Sequence, residues 1–339
     1  MSDNKNQSIL DCTLRDGGYV NNWEFDTDTA LSVMSGLYSS GVRYIEIGIM
    51  GANAKPGAQT KYNDFSEMEP LLERRKNDCH YAVMTTTENS VGFELPVRSE
   101  KTPDIIRLAY FKKDLYAALK SAAMYKEKGY SVFLQAMATF MYSEEEMNEM
   151  LRIVNELKPA AFYMVDSFST MYPDDVKKMR DDVLLRLSSD IAFGFHAHNN
   201  IQMAFANVQE FLRIEDNERQ FFIDSSIFGM GRGAGNVPTE LLMEYLNRQN
   251  RQYDVSPLLP VFQKYLEPIY RQYGWGYTLP YFLTAKHKTN SAYGWYYLNH
   301  GTISLEDLNS ALEMIPDDVR YTLKKDTAEE ILKKVKELG

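Results

Sequence analysis

Short apolar runs rich in β-branched and aromatic residues recur along the chain and alternate with longer stretches whose apolar positions fall three and four apart. The first pattern predicts strands and the second amphipathic helices. The strands so predicted are Ser8–Thr13, Arg43–Gly48, His80–Thr85, Ile105–Tyr110, Ser131–Ala138, Ala161–Asp166, Ile191–His198 and Phe221–Ile227. Helices are predicted over Asp28–Ser40, Leu115–Lys128, Glu144–Leu157, Asp174–Leu187, Ile201–Arg213 and Pro238–Asn250. Asn89–Pro103, where a helix of the third repeat belongs, carries no helical pattern. Eight β-then-α units close most simply as a parallel (β/α)8 TIM barrel of the α/β class. A doubly wound open sheet is the alternative, because periodicity does not by itself close a sheet. Beyond about residue 250 the strand signals fade and the chain turns aromatic and helical over Pro257–Tyr273, Ser304–Ile315 and Thr327–Leu338. The expected organisation is a barrel over 1–250 and a C-terminal helical cap or association domain over 251–339.

The length of 339 residues fits a barrel with an appendage. A net charge of -10 argues against a nucleic-acid footprint and against binding to anionic membrane surfaces. The two cysteines, Cys12 and Cys79, lack the C-x-x-C spacing of a thiolate metal site and suggest no disulfide framework. Met1–Ser8 is polar, without the apolar core of a conventional signal peptide. No run approaches the roughly 18 apolar residues needed to span a bilayer. A soluble, cytoplasmic protein is expected.

A barrel of this kind gathers its chemistry at the C-terminal ends of the strands, where the βα loops share one face. The first strand ends in Thr13-Leu-Arg15-Asp16-Gly17-Gly18-Tyr19, where paired glycines allow a tight turn after two opposite charges. The seventh ends in His196-Ala-His198, whose imidazoles share one face of an extended strand. Such a pair can hold a divalent metal, or it can be one packed and one exposed histidine. After the eighth strand comes Gly229-Met-Gly-Arg-Gly-Ala-Gly-Asn236-Val-Pro238. Its four glycines can offer backbone N–H groups to an anion, or simply form a flexible connection.

Thr13-Leu-Arg-Asp-Gly, Gly194-Phe-His-Ala-His-Asn and the run from Asp224 through Gly229-Met-Gly-Arg-Gly-Ala-Gly-Asn-Val-Pro-Thr-Glu240 resemble the DRE-TIM metallolyases, and most of all the 4-hydroxy-2-oxovalerate aldolases. Ile45-Glu46-Ile-Gly48 and Val165-Asp166-Ser167 support the likeness, which spans roughly Ile9 to Leu246. The resemblance implies a (β/α)8 barrel and a divalent metal, often Mn2+ with Mg2+, Co2+ or Zn2+ as alternatives, held by Asp16, His196 and His198. It further implies cleavage or formation of a C–C bond beside a pyruvate-type enolate. In the family, the helical C-terminal domain docks an aldehyde dehydrogenase.

One carboxylate and two imidazoles leave open positions at which a 2-oxo acid can chelate, and the metal would act as a Lewis acid on the keto group. The metal with Asp16 carries one positive charge and Arg15 a second, which a pyruvate enolate dianion neutralises. Arg15 is therefore the candidate for the enolate oxygen, with a rim ion pair as the alternative. Asp16 could otherwise be a turn residue. Glu46 could orient Arg15 or a metal-bound water, or form a buried structural ion pair. Asn236 could bind metal, contact substrate, or cap the following helix, and a supporting role is preferred. Ser167 could bond a substrate carboxylate or serve its own turn.

The chain departs from the aldolases at Tyr19, which stands where they carry an acid/base histidine. Tyr19 could take that role, or His287, Tyr293 or His300 from the tail could replace it, or turnover could be lost in a metal-bound scaffold. Tyr110 likewise stands where relatives tend to carry histidine, so a different aldehyde is expected. Competing functions are an acyl-CoA-dependent Claisen synthase of the isopropylmalate or homocitrate type and a 2-His-1-carboxylate iron oxygenase. Tyr273-Gly-Trp-Gly-Tyr277 and Tyr293-Gly-Trp-Tyr-Tyr297 could line a substrate channel, though a homodimer interface is preferred.

Overall fold

All eight predicted strands form within two residues of their expected bounds in the computed structural model, which describes residues 6–51, 57, 59–89, 95–214, 218–249, 252–300 and 303–338. They are β1 (Gln7–Asp11), β2 (Tyr44–Met50), β4 (His80–Thr86), β5 (Ile105–Tyr110), β6 (Ser131–Ala136), β7 (Ala161–Asp166), β8 (Ala192–Ala197) and β9 (Phe221–Ser225). A short β3 (Lys61–Tyr62) lies outside the ring on the end of β2. The strands run in parallel in the order β1-β9-β8-β7-β6-β5-β4-β2, and β2 pairs back with β1. That last pairing closes the barrel and excludes the open sheet.

Alternate residues on each strand face inward and stack in layers. Leu10, Ala82, Ile105, Phe133, Ala161 and Phe222 form an apolar layer inside the barrel. One step along the strands, Glu46, Arg107, Tyr163 and Asp224 form a polar one, with the Arg107 guanidinium 5.0 Å from the centre of the Tyr163 ring. Gly194 makes room for that ring: a Cβ there would lie 2.3 Å from it. The glycine of Gly194-Phe-His is thus demanded by packing beneath the histidines.

The predicted helices between the strands are present, led by Thr27–Ser39, Leu115–Glu127 and Glu144–Leu157. Ser143 and Glu146 cap the last of these reciprocally. Asn89–Pro103 lies partly outside the described residues, and its described part, residue 89 and 95–103, holds no helix. The predicted helix Pro257–Tyr273 is interrupted by a π-turn over Phe262–Leu266, just before Pro268, which has no N–H to donate to the preceding turn. Leu258, Val261 and Leu266 join the barrel's core, whereas Tyr293, Tyr297, Leu308, Leu312 and Ile331 build a second one. The expected boundary between residues 250 and 251 lies outside the described residues. No helix among the described residues is long and apolar enough to cross a membrane.

Asp11 closes β1 by accepting the Thr13 N–H at 2.9 Å and the Thr239 hydroxyl at 2.7 Å. Burial pushes its carboxyl up from 3.8 to about 6 despite those bonds. The folded chain therefore holds this proton more tightly than the unfolded chain. Protonation favours the fold at acid pH, and that contribution, on the order of 3 kcal/mol, is lost as pH rises from about 4 through about 6. Urea unfolding of Asp11→Asn and of the parent across this window should show their stability difference shifting toward the variant by that amount. A difference constant with pH would refute the assignment.

Candidate active site

After β1 the chain makes two helical turns, Thr13–Asp16 and Gly18–Asn21, rather than the tight turn expected from the paired glycines. Gly17 has φ -60°, so left-handed freedom is not what it contributes. Both glycines supply space. A Cβ on Gly17 would meet Met230 Sδ at 2.9 Å, and one on Gly18 would fall 2.0 Å from the Trp23 indole. That indole donates to the Arg15 carbonyl at 2.8 Å, and the packed turn delivers Arg15 and Asp16 to the barrel mouth, both buried.

Asp16 meets His196 and His198 from the end of β8. Each offers a ligand atom, and these three atoms lie within 4.8 Å of one another. The His196 Nδ1 donates to Asp224 Oδ2 at 2.8 Å and the His198 Nδ1 to the Asp166 carbonyl at 3.0 Å. Both partners can only accept, so each imidazole carries a hydrogen on Nδ1 and turns its Nε2 toward the site. His198 Nε2 is buried without a hydrogen-bond partner. Burial, followed by His196 and Arg232, pushes the His198 imidazole well below its usual range, which keeps it neutral. Burial opposes ionisation of Asp16, but the adjoining Arg15 guanidinium, together with the two imidazoles and Arg232, outweighs it and holds the carboxyl well below the usual carboxylate range. One anionic oxygen and two imidazole nitrogens, one of them orphaned, fit a divalent cation and explain an arrangement that would otherwise be costly.

Arg15 is not the unopposed cation assumed in the charge count. Its Nη1 bonds Asp16 and its Nε bonds Glu46 Oε2 at 2.7 Å. The same Glu46 oxygen accepts from Arg107 Nη1 at 2.7 Å, and Arg107 also pairs with Asp224, the partner of His196. Glu46 thus orients Arg15 and belongs to a buried ion-pair chain at once. Sequence reasoning missed Arg107 and, although Asp224 opens the glycine-rich run, gave Asp224 no role. The signal was a charge placed amid apolar strand residues, Ile106-Arg107-Leu108 and Ile223-Asp224, where an unpaired charge is rarely tolerated.

The glycine loop was expected to present its N–H groups to an incoming anion. In the structure the anion it serves is Asp16. Arg232 N–H and Asn236 Nδ2 donate to Asp16 Oδ2 at 3.2 and 2.9 Å. Other amides of the loop are consumed internally, as in Asn236 N–H to the Gly229 carbonyl and Gly235 N–H to the Arg232 carbonyl. Gly235, at φ +87°, takes a conformation that favours glycine, and a Cβ there would strike the Gly229 carbonyl at 1.9 Å. Asn236 sits at the bottom of this cradle in a bridge with His198, its Oδ1 buried without a partner.

The remaining predicted residues are dispersed. Tyr19 stands on the rim, edge-on to Trp23 at 4.7 Å between ring centres, with the Arg232 guanidinium 5.7 Å from its ring. Ser167 accepts the Ala138 N–H at 2.9 Å, and its carbonyl accepts Arg232 Nη2 at 3.0 Å. His287 bonds Asn309, Tyr293 bonds the Val319 carbonyl and His300 bonds the Tyr296 carbonyl, so all three tail candidates are engaged within the tail. The Tyr110 hydroxyl reaches Met150, outside the barrel interior. The aromatic runs of the tail divide: Tyr293, Tyr296 and Tyr297 are buried in its own core, while Tyr273, Trp275 and Trp295 face a cleft above the site.

A family model described as HMGL-like matches residues 6–261. A 4-hydroxy-2-oxovalerate aldolase of Thermomicrobium roseum is 29% identical over 265 residues, which are 77% of this chain and 73% of that one. An oxaloacetate decarboxylase of Mycobacterium tuberculosis is 26% identical over 246 residues, 71% of this chain and 70% of that one. Among solved structures, the N-terminal domain of a provisionally assigned aldolase from Bacteroides vulgatus has a TM-score of 0.71 at 27% identity, covering 87% of this chain and 97% of that one.

Proposed function

The chain belongs to the HMGL-like family and is a carbon–carbon lyase, and we propose that it makes or breaks a bond beside the enolate of a pyruvate-type 2-oxo acid, with Asp16, His196 and His198 holding Mn2+. The single observation that carries this reading is the convergence of those three ligand atoms, with both imidazoles turned by Asp224 and the Asp166 carbonyl, beside the Arg15 guanidinium. When bound, the metal supplies Lewis-acid polarisation of the keto group. Arg15 donates toward the oxygen on which charge develops, and Glu46 fixes its planar fork in position.

The charge balance of the site rests on six residues. The carboxylates of Asp16, Glu46 and Asp224 and the guanidiniums of Arg15, Arg107 and Arg232 cancel, so a dication is matched by the two charges of an enolate dianion. An interaction that strengthens as charge develops lowers the barrier, whereas uniform binding does not. Asn236 supports Asp16, Ser167 helps to fix Arg232, and Tyr19, on the rim of the cleft, is the group we assign to the proton of the substrate hydroxyl. A cytoplasmic location, a homodimer through the tail and hand-over of the aldehyde to a dehydrogenase belong to the same proposal.

The test is exchange of pyruvate methyl protons with solvent deuterium, followed by NMR with Mn2+, Mg2+, Co2+ or Zn2+. Exchange should require metal and stop with a chelator; protein that binds metal yet gives no exchange with any of the four would sink the reading. One observation favours a second outcome at the same centre. Tyr19 offers only a phenol, a weaker base than imidazole, and β-decarboxylation releases CO2 without removing a hydroxyl proton. Oxaloacetate consumption without aldehyde addition would favour that reaction.

A further inference from the structure

A cleft of about 550 Å³ opens above the candidate metal site. Gly231 and Arg232 form its floor. The Arg232 N–H bonds Asp16 Oδ2 at 3.2 Å, and a Cβ on Gly231 would lie 2.6 Å from the same oxygen, so one residue separates the cleft from the ligand carboxylate. Tyr19 makes one wall, and Tyr273, Trp275 and Trp295 bring the tail to the others. Trp275 is fixed by its Nε1 donation to the Phe228 carbonyl at 2.9 Å and by edge contact with Tyr270, so this wall is formed in advance. Tyr19, Tyr273 and Trp295 are 44%, 44% and 53% exposed. Large rings left facing water beside a reaction centre gain free energy when an apolar group covers them.

Resting on the enolate reading above, we propose that the carbonyl partner of this enzyme is an aldehyde with a bulky aromatic or long apolar substituent, lodged between Tyr19 and Trp295. A two-carbon aldehyde has three heavy atoms, which at roughly 30 Å³ for each water-sized unit fill under about 100 Å³. Most of the cleft would stay wet around it. Arg232 is the one charged residue among the described residues lining the cleft, and its guanidinium donates to the Ser167 carbonyl, so the walls around a substituent are otherwise uncharged. In the addition direction the pyruvate methyl group loses a proton and its carbon bonds the aldehyde carbon. The aldehyde oxygen takes up one proton as a hydroxyl, and cleavage reverses each of these changes.

The full-length chain loaded with Mn2+ is supplied with pyruvate and, in turn, acetaldehyde, hexanal and phenylacetaldehyde, and the hydroxy-oxo acid product is measured. The kcat/KM should rise about thirtyfold or more from acetaldehyde to phenylacetaldehyde, as expected for burying six further carbons. Trp295→Ala should bring that ratio to within about threefold, and Trp295→Phe should keep most of it. Trp295 is half exposed, so neither change opens a void in a core. A flat series or a preference for acetaldehyde overturns the inference, as does oxaloacetate decarboxylation without any aldehyde addition. Deuterium exchange into pyruvate without aldehyde separates the two levels. Exchange with a flat series defeats the cleft assignment alone, whereas absence of exchange defeats the enolate reading and this inference with it.

Discussion

Asp16→Asn should abolish turnover, lowering the rate of pyruvate proton exchange by roughly 10³-fold or more, the scale of several kcal/mol of Lewis-acid stabilisation. The substitution keeps the size of the side chain and removes the one anionic donor among the three convergent ligand atoms. It also inverts local hydrogen bonding. Asp16 Oδ2 accepts from Asn236 Nδ2 and from the Arg232 N–H while Oδ1 faces Arg15, so an amide NH2 at either position meets donors. Mn2+ binding, followed by the loss of its free-ion EPR signal on titration, should weaken in parallel with activity. Glu46, Arg107 and Asp224 remain paired in the variant, so unfolding of the metal-free proteins should differ far less than their activities do. Exchange within tenfold of the parent, at saturating metal, would show that the reaction does not depend on this carboxylate.

Much of this site was legible because its parts are local. His196 and His198 share a face by strand periodicity alone, and the strand that carries them is an apolar run that cannot sit anywhere but the core. Arg15 and Asp16 follow β1 directly, at the end of the barrel where side chains converge. What the sequence concealed are relations between distant strands. Arg107 and Asp224 are 117 residues apart and meet only once the barrel closes. Glycine is ambiguous for a related reason: Gly17 and Gly18 read as turn residues, whereas their function is to admit Met230 and Trp23, which no local pattern reveals. The amides of the Gly229–Gly235 loop looked available because their acceptor, Asp16, lies over 200 residues away. Two tail helices, Leu279–Lys286 and Ser291–Asn299, escaped because aromatic residues surround them on several sides, which leaves no single apolar stripe to mark a helix.

Arg107→Met should cost about 3–5 kcal/mol of folding stability, the largest loss expected of any single change outside the apolar core. Arg107 is fully buried between Glu46 and Asp224 and lies across the Tyr163 ring. Methionine fills much of the volume, so the cost is electrostatic: two buried carboxylates lose a shared cation in a low-dielectric interior. Urea unfolding should show the midpoint falling without a change in slope. Arg107→Lys should fall between, because a single ammonium cannot span both partners as a planar fork does. The decisive comparison is the triple variant Glu46→Gln, Arg107→Met, Asp224→Asn, which removes every member of the chain below Arg15. If uncompensated charge is the cause, stability should recover most of the loss; if lost packing is the cause, the triple variant should be no better than Arg107→Met. Activity should then part from stability. Glu46 holds Arg15 and Asp224 turns His196, so the triple variant should fold and yet exchange pyruvate protons far more slowly than the parent.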